Sequence, residues 1–341
     1  AGNIIITGSY ANSIQFGSYN LPVSGGQNAF IAKLSGNGDV LWAKGFAGNA
    51  DDVGQAVKCD KYNNIYAAGS FTSRNLTIDG VLLDSMHRYN AYYCKFDEGG
   101  NLKWAKRRWA TEFLAFTDIN CFNNSNVIMF SIAYQGMLVF NPPQIGLPVP
   151  SGTQEVAQIR IDTAGNFLSQ NFGPFRGYSV YTTVSSKDSI YLSGTLSALS
   201  GYFRGFLNQM TLLTEPLIDS RVSCGANAVN TNGRVFVLGS GRGTINFNAG
   251  YSVWAPAQTN SAFLWETDSL INTKNLLYYS SLPMGFSSIA VDTTAGSLYL
   301  AGSVGGNNNF SIGSIAVNTS GGGTADYLLT KITTNNYMPL S

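Results

Sequence analysis

Apolar residues fall at every second position over short stretches of this chain, with small or polar residues between them, and β-branched and aromatic types fill most of the apolar places. A period of two puts alternate side chains on opposite faces of an extended backbone, so the pattern predicts strands. No stretch carries the spacing of an amphipathic helix. Between the predicted strands stand Ser35-Gly-Asn-Gly-Asp39, Asp97-Glu-Gly-Gly-Asn101, Asp162-Thr-Ala-Gly-Asn166 and Asp292-Thr-Thr-Ala-Gly296. Their side-chain oxygens cap a turn and their glycines accept positive φ, which predicts tight hairpins.

The strand pattern itself repeats at about sixty residues, the mark of a repeat architecture. Three phrases carry it: Asn3-Ile-Ile-Ile-Thr-Gly-Ser-Tyr10 against Asn64-Ile-Tyr-Ala-Ala-Gly-Ser-Phe71, Asn28-Ala-Phe-Ile-Ala-Lys-Leu34 against Asn90-Ala-Tyr-Tyr-Cys-Lys-Phe96, and Asp39-Val-Leu-Trp-Ala-Lys44 against Asn101-Leu-Lys-Trp-Ala-Lys106. The first phrase returns at 126–131, 189–194, 234–239 and 297–302, making six copies. The approximate units are 1–63, 64–124, 125–188, 189–233, 234–296 and 297–341 of one domain.

Each full unit reads as four antiparallel strands, here named inner, second, third and outer in chain order. A four-stranded sheet exposes two faces, and stacking several sheets about an axis buries them against each other, so the expected fold is an all-β propeller with six repeats visible. Inner strands are predicted at 53–60, 115–122, 178–185, 222–231 and 286–293, five against six second strands. The chain therefore opens in a second strand, and the expectation is a processed or truncated chain whose absent inner strand comes from upstream or from beyond Ser341. Long connections at 14–21, 76–83, 138–149, 245–253 and 310–317 each read as a small hairpin between second and third strands, and the fourth unit lacks one.

The combined phrases resemble the SBBP-type bacterial β-propeller repeat of secreted and cell-surface proteins. The first two units match it closely, whereas Phe167-Leu-Ser-Gln replaces the Trp-Ala-Lys phrase in the third. The resemblance implies a propeller, seven-bladed in the intact protein, in an extracellular or surface setting in Bacteroidota, with type IX secretion as the route. It implies no catalytic residues.

Charged residues are 11% of the chain and the formal net charge is +1, which indicates neither a nucleic-acid footprint nor an acidic partner surface. No apolar run is long enough to span a membrane as a helix. The four cysteines include Cys59 and Cys121 at matching places in successive inner strands, which suits small buried thiols better than disulfides. No paired-Cys or Cys/His spacing suggests a metal, and no cofactor is expected. The single histidine, His87, lies in a variable connection, so nucleophilic catalysis of the Ser-His or Cys-His kind is not expected. Carboxylate-pair chemistry, as in a glycosidase or lyase, would draw on Asp51, Asp52, Glu112, Asp118 and Asp219.

In a propeller the connections from outer to next inner strand gather on one face, where variation changes the ligand without disturbing the sheets. Those connections are 47–52, 109–114, 173–177, 219–221 and 281–285. They supply the candidate ligand-binding residues Asp51, Asp52, Trp109, Glu112, Phe175, Arg176, Asp219 and Arg221, aromatics beside charges that suit a glycan or protein partner. The basic run Lys103, Lys106, Arg107 and Arg108 around Trp104 reads more simply as a charged outer edge that discourages aggregation than as a nucleic-acid site. The expected function is an extracellular interaction or adhesion module. The alternatives are a propeller glycosidase or lyase and a structural spacer or subunit of a surface assembly.

Overall fold

The computed structural model describes residues 3–85, 87–139, 146–148, 154–185, 187–196, 200–207, 211–214, 222–241, 243–247, 252–255, 261–270, 272–279, 284–292, 297–304, 309–312, 315–318 and 326–333. Its regular structure is all β, and the chain forms two compact units, Ala1–Arg176 and Gly177–Ser341.

All six copies of the first phrase are strands: Ile4–Tyr10, Ile65–Phe71, Val127–Gln135, Ile190–Leu196, Val235–Gly241 and Ser297–Val304. The five predicted inner strands form too, as Asp52–Cys59, Phe113–Cys121, the later part of Phe167–Val184, Val222–Val229 and Met284–Asp292. Small antiparallel sheets stack as propeller blades within each unit. In the first unit, Ile65–Phe71 is buried on both faces, as a strand sandwiched between two neighbouring sheets must be.

The blade count and the four-strand rule both differ from expectation. The described strands gather into five large sheets of three, six, seven, four and three strands. The first holds only Ile4–Tyr10, Asn28–Leu34 and Val40–Phe46, and the last only Met284–Asp292, Ser297–Val304 and Asp326–Thr333. The sheet of seven arises because residues 173–177 are not a loop. The strand Phe167–Val184 runs through them, its early residues pairing with Glu155–Asp162 and its later ones with Ile190–Leu196. Pro174 is tolerated there because 173–175 fall where the register shifts between the pairs Ala157↔Phe172 and Glu155↔Arg176, so no ladder bond is asked of it.

Five small hairpins stand where the long connections predicted them, Ile14–Phe16 with Tyr19–Leu21 being the first. In the fourth repeat Ile190–Leu196 pairs directly with Ser200–Leu207. Every inner strand also carries a β-bulge against its second strand, at Gly54/Ala56, Phe116/Asp118, Gly177/Ser179, Cys224/Asn227 and Phe286/Ser288. A bulge raises local twist, which lets adjacent sheets fan rather than lie flat.

Aromatic rings fill the layers between sheets. In the first unit Phe46 meets Tyr92 edge-on at 5.4 Å, and one layer further Phe116 meets Phe130 at 5.1 Å. Trp265, Phe263 and Phe247 do the same in the second unit.

The repeated phrases have a shared task at the sheet-to-sheet seam. Asp97 Oδ1 accepts the Asn101 amide, and Asp162 Oδ1 accepts those of Ala164 and Asn166, closing each turn as its sequence predicts. Gly100 and Gly165 sit in these turns at φ of 85° and 77°. The preceding sheet then grips the turn: Lys33 Nζ and Trp42 Nε1 both donate to the carbonyl of Glu98, at 2.9 and 3.4 Å. Lys95 Nζ and Trp104 Nε1 do likewise to Thr163, at 3.4 and 3.1 Å. Space as well as φ requires glycine here, since a Cβ on Gly100 would lie 2.9 Å from the Trp42 ring.

All four cysteines are free thiols; Cys94 and Cys224 are buried as expected, but Cys59 is exposed near the end of its strand.

Candidate functional site

Asp51 and Asp52 stand where the first sheet hands the chain to the second, and alternation along the strand Asp52–Cys59 separates them. Asp51 is exposed and accepts the Gln27 amide on Oδ1 at 2.9 Å. Asp52 is fully buried, accepting Ser73 Oγ on Oδ2 at 2.9 Å, while Oδ1 has no hydrogen-bond partner. Burial pushes the Asp52 carboxyl up to about 6, against the hydrogen bonds from Ser73 that favour its charged form, and the Asp51 charge adds to the rise.

Three loops are tied together around this carboxyl. Ser73 Oγ, besides donating to Asp52, accepts the Ala50 amide at 2.9 Å. Thr72 donates its amide and its hydroxyl to the Asp51 carbonyl, at 2.8 and 3.0 Å, and accepts the Asp51 amide at 3.1 Å. Asn49 Oδ1 accepts the Arg74 amide at 3.0 Å, and Ser24 Oγ donates to the Gly48 carbonyl at 3.0 Å. Gly48 is glycine because a Cβ there would collide with Ser73 Oγ and Asp52 Oδ2. The result is a rigid polar platform with Asp51, Thr72 and Arg74 on its exposed side.

Trp109 and Glu112 belong to the next connection. Trp109 is half-buried in the outer strand Leu102–Ala110, and His87 stacks on its face, ring centroids 3.7 Å apart and 7° from parallel. The sequence offers Trp109 either as a ligand-binding aromatic or as a plug between sheets; in the structure one face of its ring is taken by the histidine. Loss of hydration, with the charge of Arg107 adding, lowers the His87 pKa. Asn90 holds the loop by donating to the His87 carbonyl at 2.6 Å, and Ser85 Oγ accepts the His87 amide at 3.1 Å and donates to Asn90. Glu112 is half-buried beside Gly136, in a loop tied by mutual bonds between Thr111 and Met137.

Asp51 and Asp52 therefore share a platform, and Trp109 joins His87 rather than a bare aromatic surface. Phe175 and Arg176 lie in the strand Phe167–Val184, with Arg176 opposite Glu155, instead of in the expected loop. Asp219 and Arg221 lie outside the described residues. Sequence reasoning missed Thr72, Ser73 and His87 as parts of this surface; all three fall between the repeated phrases, where the pattern carries no signal. Asp118 Oδ1 accepts the Ile119 amide of its own strand. No cluster of three or more His, Cys, Asp or Glu suited to a metal occurs among the described residues.

The basic run has local partners. Lys103 pairs with Asp97 at 2.8 Å, Lys106 lies over the Trp104 ring and reaches Asn166, and buried Arg108 lies over Tyr93, whose hydroxyl accepts from it. Among the described residues no helix is long and apolar enough to cross a membrane.

No known protein family matches the chain by profile. A curated relative, an uncharacterized WD repeat-containing protein of Acanthamoeba polyphaga mimivirus, is 25% identical over 155 residues, which is 40% of this chain and 11% of that protein. The chain thus spans about a tenth of the relative's length. Among solved structures, a protein of unknown function from Dyadobacter fermentans superposes with a TM-score of 0.51 at 9% identity, over 97% of this chain and 91% of that one. That likeness shows a shared fold. A protein of unknown function from Bacteroides caccae follows at a TM-score of 0.42 and 11% identity, over 86% of this chain and 82% of that one.

Proposed function

We propose that the chain is a protein-binding module that presents the platform around Asp51, Thr72 and Arg74, flanked by the His87–Trp109 stack, to a partner outside the cell. One observation carries this reading. The connections on this side of the first unit are held rigid by bonds that differ from copy to copy, whereas the turns on the other side repeat the same bonds. Rigid, individually shaped loops on a regular scaffold suit recognition, because little order remains to be lost on binding. The WD-repeat relative supports a role in protein contacts, and the sequence resemblance together with the low charge supports an extracellular or surface setting. A hydrolase gains no support from this geometry, since Asp51 is exposed and Asp52 is buried with Ser73. Binding arrays of proteins and of glycans test the reading on the intact chain. Capture of a protein ligand, lost in the combined Asp51→Lys, Arg74→Glu, His87→Ala variant, is expected. Capture of glycans alone, or capture indifferent to these changes, contradicts it.

A further inference from the structure

Asp52 is out of keeping with the rest of the platform. It is fully buried, and Oδ1 has no hydrogen-bond partner while Oδ2 accepts from Ser73 Oγ. A buried polar atom left in this way is destabilising, and more so when the group is charged. Packing does not call for a carboxyl here. Asp52 stands two residues before the bulge of its strand, and Leu114, at the same place in the next inner strand, is buried as well. An apolar side chain thus serves the position one sheet further.

The carboxyl lies directly beneath the connection that precedes it. A Cβ on Gly48 would run into both Asp52 Oδ2 and Ser73 Oγ, so the backbone of 47–50 roofs the pair, and water reaches Oδ1 only when a covering segment moves. The same Ser73 Oγ holds that roof down by accepting the Ala50 amide at 2.9 Å. Around the carboxyl, Asp51 brings a like charge from the same connection. Tyr92, from the strand Tyr89–Phe96, is a phenol whose own pKa the Asp52 charge helps to raise, and it donates to the Val53 carbonyl at 3.3 Å. Gln27, whose carbonyl accepts the Asp52 amide, and Ser73 carry no charge, and Arg74 beside Ser73 is exposed.

We propose that Asp52 and Ser73 form a proton-operated latch: while the carboxyl is neutral, the connections 47–51 and 72–74 stay closed over it, and once its proton has passed to solvent they part more often, admitting water to the charge. Ionisation sets two carboxylates side by side and leaves one of them dry; opening hydrates it. Because burial raises the Asp52 carboxyl to about 6, the platform stiffens below that pH and loosens above it. The bearing of the latch on a partner rests on the binding reading above, but the latch itself is measured on the chain alone.

The measurement is amide exchange of the full chain at about pH 5 and about pH 7.5, each rate divided by the intrinsic rate at that pH. With the carboxyl at about 6 when closed and at the ordinary 3.8 when open, the Ala50, Asp51, Thr72 and Arg74 amides should open about tenfold more often at the higher pH. The Asn101 and Asn166 amides, held by Asp97 and Asp162 carboxyls that lie below the ordinary range, should not change. Asp52→Asn should abolish the difference, while Asp51→Asn and His87→Gln should keep most of it. Should Asp52→Asn fail to fold, carbon-13 NMR of the parent chain follows the Asp52 carboxyl itself, which is expected to titrate near pH 6. Platform amides that respond no more than the turn amides, a response that survives Asp52→Asn, or a carboxyl that titrates in the ordinary range would overturn the proposal. So would loss of the response in His87→Gln, which makes the imidazole the switch. A chain that captures no partner at either pH, with these amide results intact, would sink the binding reading and leave the latch standing.

Discussion

The two ends of the strands in the first unit are built on opposite plans. At the turn end, Lys33 with Trp42 and Lys95 with Trp104 grip the carbonyls of Glu98 and Thr163 in the same way, atom for atom. At the connection end, one junction is organised by Asp52, Ser73 and Thr72 and the next by a His87–Trp109 stack and Thr111. Common to both are a backbone bond, Ala47 with Thr77 and Thr111 with Met137, and a serine bonded to the asparagine that opens the third-strand phrase, Ser24 with Asn28 and Ser85 with Asn90. Side chains that recur in a repeat array thus report how sheets lock together, and the places where recurrence stops report what each junction presents to solvent.

The comparison breaks first if the grip is dispensable. Trp42 is buried against the next turn, so Trp42→Ala should destabilise the chain by about 3–5 kcal/mol, read as a lowered denaturant midpoint, with Trp104→Ala somewhat less because that ring is half-exposed. Changes at the loop end that approach this size would erase the distinction. Gly100→Ala, which meets both a positive φ and the Trp42 ring, should cost roughly 1–3 kcal/mol; in the Trp42→Ala background the part due to the ring should vanish while the part due to positive φ remains.

Asp52 sharpens the contrast through pH. Its carboxyl titrates at about 6 in the folded chain, above the unfolded value, so the folded state holds the extra proton and stability falls as pH rises from about 4 to about 6. The loss is on the order of 2 kcal/mol. Melting curves of Asp52→Asn should lack this slope and exceed the parent chain near neutral pH; an unchanged slope would assign the dependence elsewhere. The smallest effect belongs to Lys33→Met, about 1 kcal/mol from one lost hydrogen bond, since its partner Glu98 carboxylate is 54% exposed and weakly attractive.

Most of the scaffold is legible in the amino-acid sequence because it rests on local chemistry. Period-two runs became strands, the Asp97 and Asp162 turns closed as their residues demand, and the count of five inner against six second strands was visible from phase alone. Residues 173–177 misled, because the phase of the repeat puts them between an outer and an inner strand, while the pairing of Arg176 with Glu155, and of Gly177 with Leu196, carries one strand across them. The site was legible as a place but not as an arrangement. Adjacent Asp51 and Asp52 look alike until the strand's alternation buries one, and nothing local shows that His87 and Trp109, far apart in the chain, will stack.

The most direct test of the account sets the two ends against each other in one binding experiment. A partner found on the protein array is titrated against the parent chain, the Asp51→Lys, Arg74→Glu, His87→Ala variant and a turn-end variant, Asn37→Ala, Lys61→Ala, Tyr62→Ala, all checked for equal helix-free β signatures by circular dichroism. The account predicts that affinity falls by about a hundredfold or more in the loop-end variant and stays within about twofold in the turn-end variant. The reverse order, with the turn-end variant losing the partner, would contradict it.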